Sequence, residues 1–214
     1  TVGLTGKQYT FSLFAVDTLS LNEEWHLNGG LRWNYTNVDN VDTYHAAGDD
    51  ESLTGKSSFS RVNPTIGLTH TPNKNITFFG NYSESSRAPT SIELGCADPD
   101  FGCRLPNSMA GDPHLKQVVA KTWELGARGR VSEYQMNWSA GLFNTNNYDD
   151  ILFVANSGST GYFKNFGQTR RRGAEFAVSG REGKLSYVVN YTYLDATYQS
   201  AEQILSPYNT SGDA

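Results

Sequence analysis

The chain has 214 residues and a formal net charge of −5, with 37% hydrophobic and 13% aromatic residues. This acidic balance argues against a nucleic-acid partner, because nucleic-acid-binding surfaces are basic. No run of about 18 apolar residues encodes a transmembrane helix, yet 12 Tyr, 11 Phe and 4 Trp are many for so polar a chain. We expect one large β domain over residues 1–214.

Large apolar and polar residues alternate from residue 8 onward, most strictly over residues 25–38. There Trp25, Leu27 and Trp33 share one parity. Asn28 and Arg32 take the other. About twelve such residues make a strand of about 40 Å, well above the usual length of about five or six residues. Tilted by about 45°, this strand crosses a hydrocarbon layer of roughly 30 Å, so the segment predicts a transmembrane β-strand.

The alternation recurs about eight times along the chain. The predicted strands cover residues 8–18, 25–38, 58–70, 75–85, 119–131, 134–148, 162–179 and 184–197. Short links lie near residues 19–24, 71–74, 131–134 and 180–184, and long polar ones near 39–57, 86–118, 153–161 and 198–214. This asymmetry is typical of bacterial outer-membrane barrels, whose short turns are periplasmic. The predicted fold is all-β, an antiparallel transmembrane β-barrel segment of about eight strands.

The period of two also predicts the direction of individual side chains. We expect lipid contact from Trp25, Leu27, Leu31, Trp33, Trp123, Leu125, Trp138, Leu142, Tyr187 and Val189. We expect the lumen to be lined by Asn28, Arg32, Glu124, Arg128 and Asn190. Arg170 and Arg172 fall on the lipid parity, where they are either lipopolysaccharide contacts or plain interfacial arginines.

Three stretches carry a more specific signal. They read SRAPTSIEL at 86–94, DPHLKQVVAKTWELG at 112–126 and NNYDDILFVANSGSTGYFKNFGQTRRRGAE at 146–175. In this order they resemble the C-terminal barrel of TonB-dependent outer-membrane receptors. The matching positions are Arg87, Pro89, Glu93, Leu94, Pro113, Leu115, Glu124, Leu125, Gly126, Asp150, Ile151, Asn165, Gly173 and Glu175. One departure is Gln117-Val118-Val119, where the family often has a Glu.

The resemblance implies a receptor that imports a scarce nutrient such as a siderophore, cobalamin or an oligosaccharide. It implies a barrel of about 22 strands with a plugged lumen, of which this chain is part, with the plug domain absent from this chain. It also implies energy from the TonB–ExbB–ExbD complex through that plug, contact with outer-membrane lipid and lipopolysaccharide, and no cofactor. The N-terminus resembles no signal peptide, so we expect a processed chain or a piece of a longer one.

Two other classes of protein remain as alternatives. A complete eight-stranded barrel would act as an adhesin, a structural protein or a passive pore, and it would pair residues 8–18 with 184–197. A soluble carbohydrate-binding β-sandwich would bury one strand face against another sheet. We expect no enzyme, because the four His are scattered and form no catalytic motif.

Roles for single residues follow from strand position. Glu124 and Glu175 should point inward, where an ion-pair network with Arg61, Arg128 or Arg130 explains them better than a role in holding a plug or lining a substrate path. Gly126 and Gly173 should relieve crowding between twisted strands. The acidic loop 39–57, with Asp39, Asp42, His45, Asp49, Asp50 and Glu51, is better explained as solvated than as a cation site.

Cys96 and Cys103 enclose the turn-forming run Ala-Asp-Pro-Asp-Phe-Gly and should form a disulfide within loop 86–118. Cargo recognition should map to loops 39–57, 86–118 and 153–161, because loops at one mouth are the exposed irregular segments. Their stacking and hydrogen-bonding groups are Tyr44, Phe101, Asn107, Asn156 and Tyr162.

Overall fold

The structure, a computed structural model, describes residues 3–45, 47, 52–96, 103–104, 115–155 and 160–201. Nine strands form one sheet in this part of the chain. They are β1 Leu4–Ser20, β2 Trp25–Asp42, β3 Gly55–Asn73, β4 Ile76–Arg87, β5 Cys103–Arg104, β6 Val118–Val131, β7 Met136–Ala155, β8 Thr160–Glu182 and β9 Leu185–Tyr198. A short helix, α1 Ser91–Leu94, follows β4, and a 3-10 turn, η1 Ser132–Tyr134, follows β6.

The eight long strands pair in chain order, each antiparallel to the next. The two-residue β5 pairs with the start of β8, at Gly161 and Thr160, beyond the end of β9. No ladder joins β1 to β9 within the described residues, so the sheet has two free edges, as expected for part of a larger barrel. In the described part of the chain, no helix is long and apolar enough to span a membrane.

The sheet has two unlike ends. The short connections 21–24, 74–75, 132–135 and 183–184 lie at one end, which we name the short-turn end. The connections 43–54, 88–117 and 156–159 lie at the other, the long-loop end. Gly183 has a φ of 58°, and at η1 the capping residue Gln135 has a φ of 45°. Left-handed residues of this kind let the chain reverse within a few residues.

Two predicted connections differ from the structure. Residues 153–155 and 160–161 of the expected long loop 153–161 belong to strands, because β7 and β8 stay paired there and the rings of Phe153 and Phe163 pack with centroids 5.2 Å apart. The expected turn 71–74 lies at 74–75, because β3 continues through Pro72 with an irregular register between His70 and Asn73. Proline lacks the N–H that a regular ladder needs, which accounts for the irregularity.

The register joins the apolar positions of all long strands into one surface, the apolar face. One row across it runs Gly80, Leu125, Leu142, Ala174 and Tyr193. Side chains in this surface are exposed, with Leu125 at 64% and Leu142 at 62%. Trp33 packs against the rings of Phe11 and Tyr35 on this side.

The opposite surface, the polar face, carries hydrogen-bonded side chains. Ser12 and Arg32 both donate to the Oδ1 of Asn34, at 2.8 and 2.9 Å. Thr122 and Thr145 share a bond of 2.9 Å across β6 and β7. Trp33 and Asn34 therefore lie on opposite faces, as predicted.

Burial is concentrated at the long-loop end. Alternate residues at the end of β2 are buried, namely Thr36, Val38, Asn40 and Asp42, and all share the polar parity. The connection between β4 and β6 covers this part of the polar face, since α1 contacts both β1 and β2. Among the described residues, the buried apolar cluster of the sheet thus lies at its long-loop end.

Candidate functional site

The segment after β4 is built around Glu93. Arg87 donates two bonds to the Glu93 carboxylate, at 2.7 and 3.0 Å. The backbone N–H of Thr90 donates to the same carboxylate at 2.7 Å, and the Thr90 hydroxyl accepts from the Glu93 N–H at 3.3 Å. This capping box explains why α1 starts at Ser91. Burial alone would raise the pKa of Glu93, but the bonds from Arg87 and Thr90 outweigh it and lower that pKa.

The helix is fixed to the sheet by both polar and apolar contacts. The Asn40 side chain on β2 donates to the Ser91 carbonyl at 3.1 Å. Pro89 is less than 2% exposed and Leu94 is 6% exposed. Arg87, Pro89, Glu93 and Leu94, which the sequence places within nine residues, therefore act as one packed corner.

Asn165 on β8 holds the other end of the β4–β6 connection. Its Oδ1 accepts from the Lys116 N–H at 2.7 Å, and its Nδ2 donates to the carbonyls of Lys116 and Asp149 at 3.0 and 2.8 Å. One amide side chain thus satisfies three backbone groups from two segments. The Lys116 ammonium lies 3.7 Å from the Asp149 carboxylate.

Asp150 is buried beside this clamp. It accepts from the Thr169 hydroxyl at 2.6 Å, and Asn147 donates to that same hydroxyl at 3.3 Å. Arg171 lies 4.0 Å away. The preceding residue Asp149 has a φ of 51°, a left-handed conformation that interrupts the regular strand alternation just before Asp150.

An apolar cluster joins these parts. Its buried members are Val38, Leu94, Leu115, Val118 and Ile151, with Phe59 and Phe163 packed against them. They come from β2, α1, β6, β7 and the chain before β6. The structure therefore brings eight of the motif positions into one region, which we name the long-loop cluster: Arg87, Pro89, Glu93, Leu94, Leu115, Asp150, Ile151 and Asn165.

The other motif positions lie apart. Glu124, Leu125, Gly126, Gly173 and Glu175 are within the middle of β6 and β8, and Pro113 lies outside the described residues. A Cβ on Gly126 would meet the Phe79 ring and the Ala140 carbonyl. One on Gly173 would meet the Tyr193 carbonyl and the Phe143 ring. Steric crowding is thus the reason for glycine at both.

The predicted ion pairs of Glu124 and Glu175 are wrong for the described part of the chain, where neither has a cationic partner. Arg61 pairs instead with Glu84, at 2.6 Å, and Glu84 also accepts from the Tyr82 hydroxyl at 2.6 Å. The reason is register, because Glu124 lies opposite Asn81 and Phe143, and Glu175 opposite Gly141 and Thr192.

The expectation of a solvated acidic loop is wrong at Asp42, which is buried. Its side chain is 2% exposed and accepts from the N–H groups of Tyr44 and Leu53, at 2.8 and 3.2 Å. Burial alone would raise the pKa of Asp42, but these bonds and those from His45 outweigh it and hold that pKa at about 2. In the residues that the structure describes, no three His, Cys, Asp or Glu side chains could jointly hold a metal ion.

The expected cargo groups are only partly described. Tyr44 is exposed at the long-loop end, and Tyr162 is half-buried within β8. Phe101, Asn107 and Asn156 lie outside the described residues. Cys96 is buried and belongs to a disulfide. Its backbone carbonyl accepts from Phe163, and Cys103 pairs with Gly161, so both cysteines adjoin the same part of β8. The pairing of Cys96 with Cys103 stays a proposal.

Several residues of the site went unnoticed in the sequence. Thr90 was detectable, because Thr-x-x-Glu before an apolar residue is a capping-box pattern. Val38, Asn40, Asn147 and Thr169 carry no local signal. Their roles depend on contacts with residues far along the chain.

Comparison with known proteins shows the family to which this chain belongs. Residues 3–213 match the family model described as TonB dependent receptor-like, beta-barrel. The chain belongs to the TonB-dependent receptor family. The catecholate siderophore receptor Fiu of Escherichia coli O157:H7 is 24% identical, over 96% of this chain and 28% of its own length. The probable TonB-dependent siderophore receptor PiuA of Acinetobacter baumannii is also 24% identical, over 86% of this chain and 23% of its own length.

Solved structures of TonB-dependent receptors share the fold. The siderophore receptor PiuA from A. baumannii superposes with a TM-score of 0.71 at 20% identity, covering 96% of this chain and 28% of that one. The copper transporter OprC superposes with a TM-score of 0.72 at 17% identity, covering 94% of this chain and 31% of that one. This chain thus spans about a quarter of the length of the curated relatives that it matches. It is a segment of a larger TonB-dependent receptor barrel.

Proposed function

We propose that the complete protein is an outer-membrane receptor that imports a ferric siderophore, and that this chain forms about a third of its barrel wall. The observation that carries the proposal is the one-sided sheet, whose apolar face is continuous across eight long strands. Such a face requires lipid as its solvent, because exposed apolar surface of this extent is unfavourable in water. The two siderophore receptors among the sequence relatives support this class of cargo.

The long-loop end is proposed to be the external mouth, where cargo first contacts the receptor. Short turns are periplasmic in barrels of this kind, which supports the orientation. Here the role of the long-loop cluster is positional. It holds both ends of the β4–β6 connection, at Ser91 and at Lys116, so that the segment between them starts from a fixed frame.

Transport itself requires parts beyond this sheet. The family resemblance supports a plug inside the closed barrel and energy from the TonB–ExbB–ExbD complex. The exposed polar face, with Arg32, Arg128 and Asn190, is the surface that would meet such a plug or a hydrated path. No catalytic role is proposed for this chain.

The test is iron uptake by cells whose only siderophore receptor is the complete protein. Cells are given ⁵⁵Fe bound to catecholate, hydroxamate or carboxylate siderophores, with and without functional TonB. We expect accumulation with one class, abolished in the TonB-deficient strain. Uptake of none of the three, or uptake that continues without TonB, would contradict the proposal.

A complete eight-stranded barrel is not favoured. It would require β1 to pair with β9, and within the described residues each of these strands pairs on one side only. In lipid an open edge costs several kcal/mol for each unsatisfied backbone group. The free edges are therefore proposed to pair with other strands of the same barrel.

A further inference from the structure

The ladder between β3 and β4 ends part-way along the two strands. Its last pair toward the long-loop end joins Thr65 to Ser83. Beyond this pair, β3 remains paired with β2 through its first residue, and β4 remains paired with β6 through its last. The sheet is therefore split between residues 55–64 and 84–87. We name this gap the β3–β4 seam.

Pro64 accounts for the place at which the ladder ends. The Ser60 carbonyl accepts from the Gln117 side chain at 3.1 Å, so this carbonyl points away from β2. Alternate residues of an antiparallel strand turn their N–H and C=O groups to the same neighbour, so Val62 and Pro64 also point toward β4. Proline has no N–H to give to that neighbour. The ladder therefore stops where β3 lacks a donor.

Side chains link the two sides of the seam in place of the backbone. The Arg61 guanidinium donates to the Glu84 carboxylate at 2.6 Å, and the Asn63 amide donates to the Ser86 hydroxyl at 3.1 Å. A continued register would set Arg61 opposite Arg87 instead, and like charges directly opposite each other are destabilising. The pairing of Arg61 with Glu84 avoids that repulsion.

The β4–β6 connection also fastens the seam, at both of its ends. At its start, α1 contacts β1 and β2, and the Ser91 carbonyl accepts from Asn40. At its end, Gln117 donates to Ser60 on β3. Because the connection joins β4 to β6 in sequence, these bonds tie strands β1–β3 to the rest of the sheet through side chains.

The seam contains polar atoms that its protein contacts leave unsatisfied. Arg61 Nε and Asn63 Oδ1 are buried and have no hydrogen-bond partner among the described residues. A cavity of about 480 Å³ adjoins Asn63 on the polar face, and its walls include Arg32, Thr65 and Ser85. Polar walls around unsatisfied buried groups are typical of hydrated sites.

Glu84 has partners on its own side of the seam as well as across it. The Tyr82 hydroxyl donates to its carboxylate at 2.6 Å, and the Lys121 ammonium lies 3.5 Å away. The Glu84 side chain is 13% exposed, so its charge would be costly to leave unpaired. If Arg61 moves away, Tyr82 and Lys121 still pair this carboxylate. The bond to Arg61 can therefore open without leaving a buried charge unmatched.

We propose that the β3–β4 seam is a hydrated hinge in the barrel wall. The outer part of the β2–β3 hairpin swings away from β4 about the pair Thr65–Ser83, and the ion pair between Arg61 and Glu84 is the latch. Side-chain bonds and water rearrange in this movement, whereas opening a regular ladder would break backbone bonds. Loop 43–54 lies at the tip of this hairpin, so it moves with the hinge and widens the mouth. This proposal rests on the proposed function only for the placing of that mouth outside the cell.

The experiment measures hydrogen exchange in the complete receptor, held in lipid nanodiscs without cargo. Peptides covering residues 57–64 and 28–36 are followed in Arg61→Gln and in Arg32→Gln. Arg32 is the matched control, because its guanidinium also donates to side chains on the polar face, but its strand is paired on both sides. Heat-modifiable gel mobility establishes that each variant is folded.

We expect Arg61→Gln to accelerate exchange over residues 57–64 about tenfold, the effect of losing a hydrogen bond to a charged group. Arg32→Gln should leave exchange over residues 28–36 unchanged. Unchanged exchange in Arg61→Gln, or equal acceleration in the two variants, would overturn the hinge.

A cross-link tests whether the exchange requires the seam to open. In Arg61→Gln, a disulfide formed by the pair Asn63→Cys/Ser86→Cys should restore slow exchange over residues 57–64 until it is reduced. The control pair Ser12→Cys/Asn34→Cys, across an intact ladder, should not. No slowing by the first bridge, or equal slowing by both, would overturn the proposal. Because no cargo is present, failure of the proposed siderophore uptake would not alter this result.

Discussion

The middle of the sheet and its long-loop end keep their apolar side chains out of water in different ways. In the middle, Leu125 and Leu142 are more than 60% exposed and have no protein covering them among the described residues. At the long-loop end, Val38 and Leu94 are 1% and 6% exposed, packed against other segments of the same chain. One region depends on lipid as its solvent and the other makes its own core. Truncating an apolar side chain should therefore be most destabilising at the long-loop end, and introducing a charge should be most destabilising in the middle of the apolar face.

The largest expected effect is in the long-loop cluster. Leu94→Ala removes a fully packed side chain and should destabilise the corner locally by about 2–5 kcal/mol. The matched control is Ile92→Ala, on the same helix, because Ile92 is 57% exposed. Hydrogen exchange of the peptide covering residues 88–96 in the complete receptor measures the difference. Equal acceleration in both variants would show that the corner is not packed as described.

The middle of the sheet should respond to charge. Leu125→Arg should cost about 2–4 kcal/mol in a bilayer if Leu125 lies near its midplane. Asn190→Arg is the control, because Asn190 is on the polar face and already exposed. The folded fraction after refolding into lipid vesicles across a urea series gives the cost. A larger loss for Asn190→Arg would reverse the assignment of the two faces.

A third prediction concerns the disulfide that we expect within loop 86–118. If Cys96 pairs with Cys103, closing so short a loop stabilises by about 2–3 kcal/mol in the chain-entropy model. Thiol labelling of the unreduced protein should find no reactive cysteine, and reduction should increase proteolysis within loop 86–118 without affecting the strands. Two reactive thiols before reduction would rule the bridge out.

The smallest expected effect is on loop 43–54 and depends on pH. The pKa of Asp42 is lowered from an ordinary value of 3.8 to about 2, so the folded state favours its ionised form. Its stabilising effect is complete above about pH 4 and disappears as the pH falls through 2. Pepsin cleavage of this loop should rise over that interval relative to the other loops. In Asp42→Asn the loop should be cleaved readily at every pH in this interval. If cleavage of Asp42→Asn instead rose as the pH fell, as in the unaltered protein, the pH dependence would not come from Asp42.

Much of the fold could be predicted because each strand has an apolar face and a polar face, so apolar and polar residues alternate along it. All eight predicted strands overlap the observed ones, since alternation is a local property that survives without knowledge of the partners. Two connections were misplaced because pairing between strands outweighed the local turn-forming residues. Phe153 and Phe163 continue a hairpin where the nearby Gly and Ser residues predict a loop, and Pro72 is accommodated within β3 by an irregular register.

The site was less predictable than the fold. The family resemblance named Glu93, Leu94, Asp150 and Asn165 but not what they do. The partner of Asn165 is the backbone of Lys116, 49 residues away, and no sequence pattern reports such a contact. Within the described residues, the predicted ion pairs of Glu124 and Glu175 were wrong for the same reason, because charge and parity do not fix which residues become neighbours.

The long sequence separations in the cluster have a consequence for how the protein assembles. Asn40 meets Ser91 at a separation of 51 residues, Asn165 meets Lys116 at 49, and Gln117 meets Ser60 at 57. Contacts this distant form only after the entropy of closing the intervening loops has been lost. Hairpins such as β6–β7 and β8–β9 need no such closure and can form first. The corner around Glu93 is then completed last, when β2 and β8 are both in place, so its protection from exchange would report that this part of the wall has finished folding.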